Sequence, residues 1–113
     1  MIDINYEAER ALSGLECTVV YQHPRDFTAM PAVSYYNVAE RCALYTDNEE
    51  SVQSGYVQTD VWAAEAAECG RLAMRVNDAM TAAGFTREMS ADIPETDGRI
   101  YHKTMRFHKY FNV

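Results

Sequence analysis

The sequence predicts an α+β fold in which two helices pack on a mainly antiparallel (mixed) sheet of about five to six strands, in the chain order α-β-β-β-β-α-β-β. Three observations predict it. Residues 55–62 alternate with the period of a strand, and residues 64–83 carry apolar side chains at helical spacing. The C-terminal third then returns to strand chemistry in two runs separated by SADIPETDGR, a stretch of turn formers. A strand, a helix and a closing hairpin in that order leave one apolar sheet face that needs a second layer.

Residues 3–13 read as a short helix. Ile4, Ala8, Ala11 and Leu12 hold one stripe, Asp3 can cap the first turn and Gly14 supplies a stop. CTVVY, residues 17–21, is β-branched and aromatic and predicts the first strand, and His23, Pro24, Arg25 and Asp26 open a loop that lasts to Pro31. Val33, Tyr35 and Val38 predict a strand over residues 32–40, with a separate short strand over 42–45. Thr46, Asp47, Asn48, Glu49 and Glu50 then form a solvated acidic turn that lacks the order of a calcium loop.

On the strand at residues 55–62, Val57, Thr59 and Val61 share one face and Tyr56, Gln58, Asp60 and Trp62 the other, and Trp62 is expected as an aromatic lid on the core. The main helix, residues 64–83, presents Cys69, Leu72, Val76, Ala79, Met80 and Ala83 to the core, and Gly84 and Phe85 end it. Residues 85–89 and 100–111 form the final hairpin, with a tight, positive-φ turn expected at Asp97-Gly98. Along its last strand Tyr101, Met105, Phe107 and Phe111 occupy one parity, interrupted by Lys103, while His102, Thr104, Arg106 and His108 occupy the other.

A chain of 113 residues predicts a single domain over residues 1–113, large enough for one core. Its 48% hydrophobic and 24% charged content is that of a globular, soluble protein, and the acids in MIDINYEAERAL are unlike a secretory leader. Cys17, Cys42 and Cys69 are odd in number and form no CxxC pair, so a disulfide framework and a zinc site are both disfavoured and three small buried hydrophobes are expected. The net charge of −7 opposes general binding to nucleic acid, but the charge is unevenly placed. All 17 acids lie in residues 1–98, whereas residues 99–113 hold Arg99, Lys103, Arg106 and Lys109 and no acid.

No nucleophile, metal or phosphate signature stands in the chain, so no catalytic, cofactor or metal residue is assigned and no cofactor is expected. His102 and His108 share a parity, yet six residues of strand set them about 20 Å apart, too far to hold one ion. The candidate surface is therefore His102, Lys103, Arg106 and His108, either a solvated sheet face or one turned toward a polyanion. The alternative from another class is a small oligomeric α+β enzyme or ligand-binding module with a site near His102, Arg106 and Trp62.

The segments VSYYNVAERCALYTDNEE, YVQTDVWA, AMTAAGF and ADIPETDGRIYHKTMRF resemble the tail completion, or tail terminator, proteins of long-tailed bacteriophages and prophages, across residues 33–107. The resemblance implies a tail-terminator-like α+β subunit, without enzyme activity or cofactor. The resemblance implies that such a subunit assembles with itself as a homo-oligomeric ring, a hexamer, at the head-proximal end of the tail tube. It implies as partners the tail tube protein and the head completion or connector proteins, with DNA only passing through the lumen and no membrane contact. It further implies a place in the virion tail after synthesis in the bacterial host cytoplasm.

Overall fold

The computed structural model describes residues 1–113, and its elements run α1 (Ile4–Leu12), β1 (Thr18–Tyr21), β2 (Ala32–Thr46), β3 (Glu49–Ala63), α2 (Ala66–Ala82), β4 (Thr86–Ile93) and β5 (Tyr101–Asn112). The five strands form one mixed sheet in the order β1-β2-β3-β5-β4; β1 pairs with β2 in parallel and every other pair is antiparallel. The expected α+β architecture of two helices on a mainly antiparallel sheet is what the chain forms.

One strand fewer precedes α2 than the residue pattern suggested. Residues 32–40 and 42–45 are one continuous strand whose pairing with β3 is broken by bulges between Asn37 and Ala39, between Cys42 and Leu44, and between Leu44 and Tyr45. Each bulge shifts the side-chain alternation by one, so a single bent strand carries the mixed pattern of two short ones. The acidic turn also contracts: only Asp47 and Asn48 lie outside the strands, both at positive φ (53° and 65°), a two-residue turn whose twist suits a hairpin. Glu49 and Glu50 already belong to β3. The positive-φ turn expected at Asp97-Gly98 is not formed; there the Asp97 carboxylate accepts from the Arg99 backbone N–H at 2.9 Å and organises a longer connection.

Both helices cover one sheet face. Ile4, Ala8 and Leu12 of α1 and Cys69, Leu72, Ala73, Val76 and Met80 of α2 join Val33, Val57, Val61, Met105 and Phe107 in one buried cluster. Asp3 caps α1 as anticipated, its carboxylate accepting from Tyr6 N–H at 3.1 Å. α1 can lie this close to β3 because residue 55 is glycine: a Cβ there would stand 2.6 Å from Ile4 Cδ1. Gly84, at φ +92°, ends α2, and the C-terminal carbonyl of Ala83 accepts a 2.7 Å bond from Lys109 Nζ. Of the three cysteines expected to be buried only Cys69 is; Cys17 and Cys42 are half-buried.

The molecule is long, 54 × 25 × 22 Å, because β2 and β3 run on past the body as a hairpin. β5 ends opposite Val52, so the last turns of that hairpin have no third strand beside them.

Candidate functional site

The sheet face turned away from the helices carries the polar parity of β3 and β5. Cross-strand register sets Trp62 beside His102, Asp60 beside Thr104, Gln58 beside Arg106 and Tyr56 beside His108. β2 adds Ser34 opposite Asp60, and β4 adds Met89 and Ile93 at the far edge.

At one end this face is closed over. The His102 ring stacks on Trp62 with centroids 3.7 Å apart and 16° between planes, and the indole N–H donates to Ser34 Oγ at 2.9 Å. Phe27 and His23, from the loop at residues 22–31, pack on the indole at 5.3 and 4.9 Å. Trp62 is thus not a lid on the main core: it is the centre of a second cluster on the opposite face. The alternation over residues 55–62 placed it on that face correctly, but the loop that buries it carries no signal of its destination.

His102 is held at both nitrogens. Nε2 lies 2.7 Å from Asp60 Oδ1 and Nδ1 lies 2.7 Å from Glu95 Oε1. Carboxylates accept, so both ring nitrogens donate, which is the imidazolium form. Burial is the largest single influence on this group and disfavours the charge, but the bonds and charges of Asp60 and Glu95 outweigh it and raise the His102 pKa above its ordinary 6.5. Asp60 is itself buried, and its second oxygen accepts from Gln58 Nε2 at 3.3 Å. Neither nitrogen is left for proton transfer to a substrate, so in this arrangement His102 fastens residue 95 of the β4–β5 connection to the sheet.

The middle and far end of the face are open. Arg106 sits between Gln58 and Met89, its Nε buried without a partner within the chain. His108 bonds Ser54 Oγ at 2.7 Å through Nε2 and lies between the rings of Tyr56 and Tyr110, each 4.5 Å away. Exposed Tyr110 and Leu44 extend the surface toward the hairpin tip.

The four bases of residues 99–113 do not form one patch. Lys103 pairs with Val61 and so faces the helices, where its Nζ meets Asp92 at 3.3 Å. Lys109 caps α2 and lies over the Phe85 and Phe111 rings at 5.6 and 4.8 Å. Arg99 forms a two-point bond to Asp97, whose carboxyl it holds down at about 2. Of the named candidates the structure brings His102, Arg106 and His108 to one face and sets Lys103 on the other. Asp60 and Glu95 escaped the sequence reading because their relation to His102 spans 42 residues in one case and a loop in the other.

A recess of about 460 Å³ lies elsewhere, between the start of α2 and the β4–β5 connection, and is lined by Cys69, Gly70, Asp92, Pro94, His102 and Lys103 among others. Neither Trp62 nor Arg106 lines it, so this recess is not a site shared by His102, Arg106 and Trp62. No group of three or more His, Cys, Asp or Glu side chains is placed to hold a metal ion, and no helix is long and apolar enough to cross a membrane.

The model of the family described as Tail completion protein gp17 matches residues 7–111 of the chain. No curated protein matches the chain.

Proposed function

We propose, on the ground that this chain belongs to the phage tail completion protein gp17 family, that it is a structural component of the virion which closes the head-proximal end of the tail tube as a ring of identical subunits. The family match over residues 7–111 is the observation that carries this, since it spans both helices and all five strands but for the ends of the chain. In the ring, the tail tube protein meets one rim and the head completion or connector proteins the other, and DNA passes through the lumen without sequence recognition. The fold is compatible with it. All helical mass is on one side of the sheet, leaving the other side, with Arg106, His108, Tyr56 and Tyr110, free to face a passage.

Lining a DNA passage requires a surface that neither clings to phosphate nor repels it strongly. Arg41 and Arg106 are spaced along a face whose imidazolium, His102, is matched by two carboxylates, so the positive field there is modest. Lys103 and Lys109 are engaged on the helical side and take no part.

Removal of the gene from the phage is the test. Tails assembled without the protein are expected to be of irregular length and unable to join heads, and the purified protein added back should bind one end of those tubes in electron micrographs. Tubes of normal length that join heads without it would end the proposal.

A further inference from the structure

We propose that neighbouring copies join edge to edge, the free edge of β4 in one subunit pairing antiparallel with the free part of the β2 edge in the next, so that β2, β3, β5 and β4 of every copy form one closed wall. The inference rests on the ring reading above and names the interface that builds it.

The chain has two unlike free edges. On one side β4, Thr86–Ile93, is paired only through β5. On the other, β1 covers β2 only from Ala32 to Tyr35, and the Asn37 backbone N–H is taken by Asn5 Oδ1, which leaves residues 38–46 with no outer partner. Neither strand contains proline, and past the bulge between Arg87 and Met89 the stretch Met89–Ile93 carries a single charge, Asp92. The four strands from β2 to β4 alternate in direction, so β2 and β4 run opposite to one another. A head-to-tail neighbour in the same orientation therefore presents β2 antiparallel to β4, the relation that continues the sheet and that closes into a ring if the rotation closes.

The level of the two edges supplies the curvature. Through the cross-strand register, Ile93 stands level with Ala32 and Thr86 level with Ala39. Since β1 occupies the Ala32–Tyr35 edge, β4 of the next copy reaches a free stretch only by sliding about six residues toward the tip, about 20 Å. Four strands at about 4.8 Å span about 19 Å, so each copy adds nearly as much stagger as width, a strand tilt near 45°, close to the ~35–45° of closed barrels. The bulges of β2 bend this edge, as a curved wall requires. Side chains agree with the junction: Leu44 on one edge and Met89 and Ile93 on the other are exposed, at 54%, 42% and 38%, and all lie on the helix-free face. Each edge also carries an adjacent pair of opposite charges, Glu40-Arg41 and Arg87-Glu88.

The test joins mass measurement with cross-linking of the full-length protein. Ser90 of β4 and the native Cys42 of β2 are both on the helical parity of their strands. Ser90→Cys should give, on mild oxidation, a ladder of covalent oligomers that disappears in Ser90→Cys/Cys42→Ser, and Met89→Lys/Ile93→Lys should abolish the ring mass in light scattering while keeping the circular dichroism of the parent. If the parent forms rings but the lysine variant still does and no ladder appears, the edge junction is wrong and the ring stands. A parent that stays monomeric up to its solubility limit and on isolated tubes overturns the ring reading together with the junction. Covalent dimers that form from Ser90→Cys without Cys42 would show β4 pairing with itself, which also overturns the proposal.

Discussion

His102 is a residue whose sheet face is legible in the sequence while its partners are not. Its parity on β5 is visible in the sequence, and a histidine beside an arginine on a sheet face invites an acid–base role. The structure instead saturates the ring: a carboxylate at each nitrogen, an indole against one face. Its contribution to stability has a definite pH sign. Because the folded pKa lies above the ordinary 6.5, the imidazolium stabilises the native state fully at pH values below 6.5, and that stabilisation is lost as pH rises through the elevated folded value. Melting temperature should therefore fall on going from mildly acidic to mildly alkaline solution. His102→Gln should flatten that slope and lower stability at acidic pH by about 2–4 kcal/mol, because it leaves the buried Asp60 carboxylate with a neutral neighbour. Urea titrations of both proteins at several pH values would check it, and a slope that survives the substitution would place the titrating group elsewhere.

Elements whose local chemistry and tertiary environment agree were legible from residue order alone. The Asp3 cap, the Ile4/Ala8/Leu12 stripe, the alternation of β3 and the glycine after α2 all appear where periodicity places them. Elements set by distant contacts were not. β2 looks like two strands because its bulges reset the alternation, and the Asp97-Gly98 turn failed because the Arg99 side chain and backbone recruit Asp97 to another geometry. Gly55 is a third case, since nothing local distinguishes a glycine of close approach from one of flexibility. Its role gives a firm expectation: Gly55→Ala drives a methyl into Ile4, which is 1% exposed and has no room to retreat, so α1 must lift from β3. A loss of about 1–3 kcal/mol is expected, with faster amide exchange in α1 than in α2. Ile4→Val in the same chain should recover part of it by shortening the side chain that is struck.

For the molecule as a whole, the projecting hairpin is the part whose existence the fold itself does not require. Past Val52 the strands β2 and β3 pair with each other, the chain end adding only the bond from Val113 N–H to the Ser51 carbonyl at 3.0 Å, and Leu44 and Tyr45 stand 54% and 67% exposed. An isolated two-stranded ribbon gains little from burial, so its length contributes almost nothing to the stability of the body. Exposed apolar side chains carried that far from the core are suited to a partner surface. Within a ring, the tips of all copies would project from one rim, which makes them the contact with either the tail tube or the connector. Excising residues 45–50 and closing Leu44 and Ser51 with Asn-Gly, a pair that favours the same positive-φ turn as Asp47 and Asn48, should leave the unfolding midpoint in urea unchanged. The shortened protein should nevertheless fail to restore infectious particles to a phage lacking the gene. Normal titre from the shortened chain would show that the hairpin is dispensable and that the body alone makes the contacts on both rims; a lost midpoint would show that the ribbon, contrary to its lack of neighbours, supports the core.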